Sequence, residues 1–221
     1  MGLTGRLLVA SPLLVDPNFE RTVVLVLDHG EPGALGVVLN RPTEVPVKAV
    51  LEQWDQLAAS APPSNMFRGG PVARDAIIGL GKVMISDLHQ GESIRELSPF
   101  AFGAEDELGE PVDEGQSGAE GDGQERIGVR DVLVDIDTVD LSISPDAQPY
   151  VLDGIRLFSG YAGWGGSQLE GEIAEGAWFV VEARADDIFV SEPDLLWRDV
   201  LRRQKTNLAV LAAYPPDPSS N

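Results

Sequence analysis

Residues 103–128 of this chain read GAEDELGEPVDEGQSGAEGDGQERIG, a stretch with nine acids, one base and almost no apolar side chain. Such a segment has too little to bury to offset the entropy of ordering it, so it is expected to be a solvated, disordered insertion. The apolar patterns on either side each hold too few strands for an independent core. They are therefore expected to complete one another as a single domain over residues 1–213, interrupted at 103–128. A proline-rich flexible tail, YPPDPSSN, is expected at 214–221.

Short β-branched and aliphatic runs bounded by turn residues predict strands at 6–10, 22–27, 34–39 and 75–80 before the insertion. After it, strands are predicted at 132–136, 155–159 and 178–182. Val47, Val50, Leu51, Trp54 and Leu57 fall at spacings of three and four after Pro46, which predicts one amphipathic helix over 47–57. Further helices are predicted from Ser167 and over about 193–205. Strands and helices mix without a βαβ repeat and hairpin spacings dominate the N-terminal half, so the expected class is α+β.

Composition narrows the functions available. With no cysteine there are no disulfides, thiolate metal sites or cysteine nucleophiles, and a cytoplasmic location is the simplest reading. Only four apolar residues follow Arg6 near the N-terminus, too few for a signal peptide, and no stretch approaches a membrane span. Asp and Glu number 36 against 16 Lys and Arg, a net charge of −20, so the surface repels nucleic acid on average.

Several motifs invite chemistry. Gly160-Tyr161-Ala162-Gly163-Trp164-Gly165-Gly166-Ser167 has the glycine spacing of a phosphate loop, but Gly166 stands where such a loop needs lysine. Ser167 and Glu170 also form an S-x-x-E capping box, which would occupy the amides that bind an anion. A packed strand-to-helix turn with Tyr161 and Trp164 as apolar anchors is the favoured reading. Asp135, Asp137 and Asp140 resemble the start of a calcium loop, but Asp140 holds the glycine position and Asp146 the glutamate position, so a strand with one wet face is preferred. Neither a metal nor a cofactor is expected.

The histidines are His29 and His89, both in turn-like contexts. A Ser/His/Asp proposal with His29, Ser11 and Asp16 rests on residue type alone, with no G-x-S-x-G elbow to support it. Asn40-Arg41-Pro42 and Arg68-Gly69-Gly70-Pro71 are sharp turns, each with an arginine that could hold a carboxylate or phosphate beside glycine amides. In the simpler reading the glycines and Asn40 serve turn geometry while Arg41 and Arg68 pair with surplus acids. Arg198, Arg202, Arg203 and Lys205 suit the C-terminal end of the last helix.

Taken together these segments resemble the bacterial YqgE/AlgH family. The resemblance is carried by Leu8-Val9-Ala10-Ser11-Pro12, Asp16-Pro17-Asn18-Phe19, Gly33-Ala34-Leu35-Gly36 through Asn40-Arg41-Pro42, Gly69-Gly70-Pro71-Val72, Gly160-Tyr161-Ala162-Gly163-Trp164, Gln168-Leu169-Glu170, Trp178 and Trp197-Arg198. It implies an α+β domain whose bifurcated mixed β-sheet has a partly barrel-like core flanked by helices. Members are mostly uncharacterised, and one branch carries a transcription-regulator label. Many relatives have a Leu-His pair where this chain has Leu80-Gly81, so a role needing that second histidine fails here.

The leading functional expectation is a non-enzymatic binding or regulatory protein, taking a protein partner or small ligand on a surface of Asn40, Arg41, Arg68, Gly69, Gly70, Pro71, Gly160, Tyr161, Trp164 and Gln168. That surface requires the three turns to converge. The alternatives are a hydrolase or transferase using His29 with Ser11 or Asp16, and a transcriptional regulator.

Overall fold

The computed structural model describes residues 2–84, 133, 135–205 and 207–215. The acidic insertion expected at 103–128, His89 and the end of the tail lie outside the described residues. Among the described residues nine strands form one mixed sheet: β1 (Arg6–Ala10), β2 (Val23–Gly30), β3 (Gly33–Val38), β4 (Pro42–Pro46), β5 (Asn65–Arg68), β6 (Val72–Val83), β7 (Ile136–Val139), β8 (Leu152–Gly165) and β9 (Trp178–Glu182). The α-helices of the described residues are short: α1 (Asp55–Ala59), α2 (Gln168–Ala174), α3 (Ala185–Ile188), α4 (Leu196–Arg202) and α5 (Leu208–Leu211).

β8 organises the sheet. Along its first part it lies between β5, which runs parallel with Phe67 opposite Phe158, and β6, which runs antiparallel with Ile78 opposite the same Phe158. Beyond Ser159 it leaves β5 and pairs with β3, Ala162 opposite Gly36 and Trp164 opposite Ala34. The antiparallel series β3, β2, β1, β9 continues from there, so the sheet forks at β8. This is the bifurcation the resemblance implied. The sheet does not close into a barrel: among the described residues no ladder joins β8 to β9, and α2 connects them in sequence. The two sides still curl toward each other, bringing the Trp164 and Trp178 rings to 6.0 Å.

Period-two alternation explains why these runs are strands buried on both faces. Leu7, Val9, Val23, Leu25 and Val37 point into one core with Phe67, Leu80 and Phe158, while Leu8, Ala10, Val24, Val26 and Val38 point into another with Trp164 and Trp178. The first core runs beneath both branches and is closed by Leu196, Trp197, Val200 and Leu201 of α4. At roughly 1.5–3 kcal/mol for each fully buried large side chain, that helix face is a principal attachment. A third core, under α1, joins Trp54 and Ala58 to Ile155 and Leu157.

Three local expectations change. The helix predicted at 47–57 is two 3-10 turns, Val47–Ala49 and Glu52–Trp54, ahead of α1. The break falls at Leu51, whose φ of −137° and ψ of 74° are not helical, and Val50 is exposed where the periodicity wanted it buried. The glycine cluster expected to be a strand-to-helix turn instead continues β8 to Gly165. The capping box of Ser167 and Glu170 does not form; Ser167 is left-handed with φ of 61° and its hydroxyl makes no cap bond.

One buried charge ties the two branches to the loops that cover them. Arg156 on β8 is 2% exposed and donates to the carbonyls of Ile188, Val190, Ala61 and Pro62, with its guanidinium 4.4 Å from the Phe67 ring. Burial lowers its pKa to about 10.

Candidate functional site

The two arginine turns meet at one corner of the sheet, where the branches separate. Asn40, 3% exposed, accepts from the Val23 amide at 2.9 Å and donates to the Arg21 carbonyl at 2.9 Å. This clamp holds Arg21 in a left-handed conformation, φ 52°, which a non-glycine residue adopts only when its surroundings impose it. Beside it, the Arg68 amide donates to the Arg41 carbonyl at 2.8 Å, placing the β3–β4 corner against the end of β5.

The glycines at this corner serve close backbone approach. A Cβ on Gly69 would lie 2.2 Å from the Gly160 carbonyl oxygen, and one on Gly70 would lie 2.1 Å from the Tyr161 carbonyl carbon and oxygen. Gly69 also spends its amide on the Ser159 carbonyl at 2.8 Å, so that amide is not a donor for an anion. Gly160, at φ 71°, turns β8 from one branch to the other and would meet the carbonyls of Val72 and Gly70 with any side chain. The glycines fit the simpler of the two sequence expectations, turn geometry: they let three backbone segments pack.

In front of this corner is a cleft of about 270 Å³ lined by Arg21, Asn40, Arg41, Asp194, Trp197 and Arg198. The Arg21 guanidinium lies 4.7 Å from the Trp197 ring centre and donates through one nitrogen to the Tyr214 carbonyl at 3.1 Å and to that of Pro215. Trp197 is fixed in turn by its indole N–H on the Ala10 carbonyl at 2.9 Å. Arg41 donates to the Glu20 carbonyl. Its guanidinium is held below its ordinary pKa first by burial and further by Arg68, against the pull of Glu20 and Asp194. Arg21 is lowered likewise, by burial and then by Arg198. Arg68 is exposed beside the cleft.

Two of these cations were missed or assigned elsewhere in the sequence. Arg21 stood in no motif, although a basic residue directly before a predicted strand and near Asp16-Pro17-Asn18 marks a tight loop. Arg198 was expected to serve the end of the last helix; it faces the cleft instead. Two of the other helix-end cations pair with acids: Arg202 reaches Asp199 at 3.0 Å and Arg203 forks onto Asp187.

Trp164 and Gln168 stand apart from this corner. Trp164 lies in the core on the opposite face of the sheet from the one against which Tyr161 packs. There Glu172 of α2 accepts from the Trp164 indole at 3.0 Å and the Trp178 indole at 2.7 Å through one oxygen, and from Gln168 at 3.0 Å through the other. Phe19 stacks on Trp164 and meets Trp178 edge-on. The arrangement is a closed aromatic cluster under a carboxylate.

The residues of the Ser/His/Asp proposal do not meet. The Ala10 amide bonds the Thr22 carbonyl, so Ser11 lies at the start of β2, while His29 is six residues beyond Val23 along that strand, about 20 Å away at 3.3 Å per residue. His29 instead accepts from the Leu3 amide at 3.3 Å through Nδ1 and bonds Glu170 at 2.9 Å through Nε2. The Ser11 hydroxyl accepts from the Leu13 amide, and the Asp16 carboxylate accepts from the Asn18 amide. Of the acids resembling a calcium loop, Asp140 takes both the amide and hydroxyl of Ser142, and its pKa is lowered by those bonds. Among the described residues no group of three or more His, Asp or Glu is placed to hold a metal, and no helix is long and apolar enough to cross a membrane.

Comparison with known proteins gives a consistent family. The AlgH-like family model matches residues 7–209. UPF0301 proteins of Streptomyces avermitilis and Streptomyces coelicolor are each 45% identical over 219 residues, covering 99% of this chain and 95% of theirs. The crystal structure of a Corynebacterium diphtheriae protein superposes with a TM-score of 0.70 at 26% identity, covering 96% of this chain and 92% of that one. The solution structure of the AlgH protein from Pseudomonas aeruginosa, a UPF0301 member, gives 0.55 at 25% identity, covering 98% and 96%.

Proposed function

Because the chain belongs to the AlgH-like family, whose matched relatives are named without an activity, and its arginines converge at the Asn40 corner, we propose that it is a binding or regulatory protein, not an enzyme. The surface is formed by Arg41, Arg68, Pro71 and Tyr161, extended by Arg21 and Arg198, over the buried Asn40, Gly69, Gly70, Gly160 and Trp197 that shape the corner. Trp164 and Gln168 fall outside it. The observation that carries this reading is the gathering of Arg21, Arg41, Arg68 and Arg198 around one clamped asparagine on a chain of net charge −20. The absence of cysteine favours a cytoplasmic setting.

A thermal-shift screen of small metabolites and peptides on the full chain tests it, compared with Arg41→Ala/Arg68→Ala. A ligand at 100 times its Kd stabilises the wild type by about 2.7 kcal/mol and leaves the double variant unmoved. Ligands that stabilise both proteins equally would place the binding surface elsewhere.

A further inference from the structure

Resting on that reading, we infer that the Asn40 cleft binds a phosphate-type oxyanion, the phosphate group of a small molecule. Four of the chain's 16 basic residues stand around this one corner, and the acids that act on Arg21 and Arg41 are Glu20 and Asp194. A chain carrying 36 acids had ample means to pair them, as it does for Arg203 with Asp187. Here Arg21 and Arg41 hydrogen-bond only backbone carbonyls, and among the described residues neither Arg68 nor Arg198 has a side-chain hydrogen bond or ion pair. Each guanidinium has five N–H donors, so most of this donor capacity is unspent.

The four cations come from separate segments: the loop before β2, the β3–β4 corner, the end of β5 and α4. A planar carboxylate is satisfied by one guanidinium fork. A tetrahedral dianion presents oxygens in several directions and matches cations approaching from different sides. Its charge would relieve the mutual repulsion of Arg41 with Arg68 and of Arg21 with Arg198. Arg21 is fixed at both ends, its backbone by Asn40 and its guanidinium on Trp197, so little rotamer freedom remains to be lost on binding.

The test titrates the full-length protein with inorganic phosphate and with glycerol phosphate at constant ionic strength, following amide shifts by NMR, with citrate as the carboxylate arm. Saturable shifts centred on residues 20–23 and 39–42 are expected for both phosphates. Arg68→Gln and Arg198→Gln each weaken binding about tenfold or more, the loss of one charge-assisted bond. Arg6→Gln, at the Glu182 edge pair, leaves it unchanged. Arg68 is exposed, so that variant keeps the test valid if a cleft variant fails to fold. Inorganic phosphate binding without glycerol phosphate would restrict the cleft to the free ion and overturn the small-molecule assignment. Shifts that follow only ionic strength, or citrate binding tighter than phosphate, would overturn the phosphate assignment. If citrate binding is lost in the arginine variants, the surface reading still stands; if those variants alter no binding at all, it falls too.

Discussion

Glu172 holds the aromatic cluster together, and replacing it gives a measurable test of how the curl of the sheet is maintained. One of its oxygens takes both the Trp164 and the Trp178 indole N–H groups, which belong to strands on opposite sides of the opening. Each is a hydrogen bond to a charged acceptor, worth about 1.5–3 kcal/mol. Because Glu172 is only half-buried, the lower end applies, and Glu172→Ala should destabilise by about 3 kcal/mol. For a chain of this size that lowers Tm by roughly 6–12 °C. Glu172→Gln keeps an acceptor of the same shape but without charge, so it should lose about half as much. Thermal unfolding followed by circular dichroism and tryptophan fluorescence separates these outcomes. An alanine variant within about 0.5 kcal/mol of wild type, or a glutamine variant as damaged as the alanine one, would refute the bridging role.

Two contrasting glycines test the packing argument: Gly70→Ala should destabilise by more than about 3 kcal/mol, since its Cβ meets backbone of Tyr161 that cannot swing aside. Gly171→Ala, with open space around it in α2, should stabilise by about 0.5–1 kcal/mol, and urea midpoints report both. Glu170 has its pKa lowered by its own backbone amide and then by His29, so its ionised form is favoured in the folded state. That contribution is therefore fully present above pH 4.5 and fades as pH falls through the lowered folded value. The stability gap between wild type and Glu170→Gln should be largest at neutral pH and close in acid; a gap that widens in acid would contradict the pairing.

The central strands were legible because β-branched runs buried on both faces leave a continuous apolar trace, and 6–10 matched β1 at both ends. β8 was half-read. Its glycines resembled a turn, yet Ala162 and Trp164 alternate with Gly163 and Gly165 as buried and exposed positions, a period of two that continues the strand. Only Gly160 is crowded by neighbouring backbone, the Val72 and Gly70 carbonyls; a Cβ at Gly163 or Gly165 would meet side chains at ordinary contact distance. The helix at 47–57 failed for the opposite reason: the right spacing was present, but the backbone broke at Leu51 and Val50 was left in solvent. At the candidate site, Asn40, Arg41, Arg68 and Gly69 could be found because turn residues mark corners. Arg21 and Arg198 could not, because what brings them there is long-range: the Asn40 side chain on the Arg21 carbonyl, and Trp197, which lies under the Arg21 guanidinium and is fixed on the Ala10 carbonyl.

The place of β8 in the sheet has a consequence for how the chain is made. β3 and β5 are complete by residue 68, but the strand that pairs with both ends at residue 165. At about 5–20 residues per second, the ribosome leaves those ladders bare for on the order of 5–20 s after they emerge. β1 waits still longer for β9, so the nascent β1–β2–β3 meander has open hydrogen-bonding edges on both flanks. Translation speed through residues 69–165 therefore sets how long this protein is exposed to mispairing.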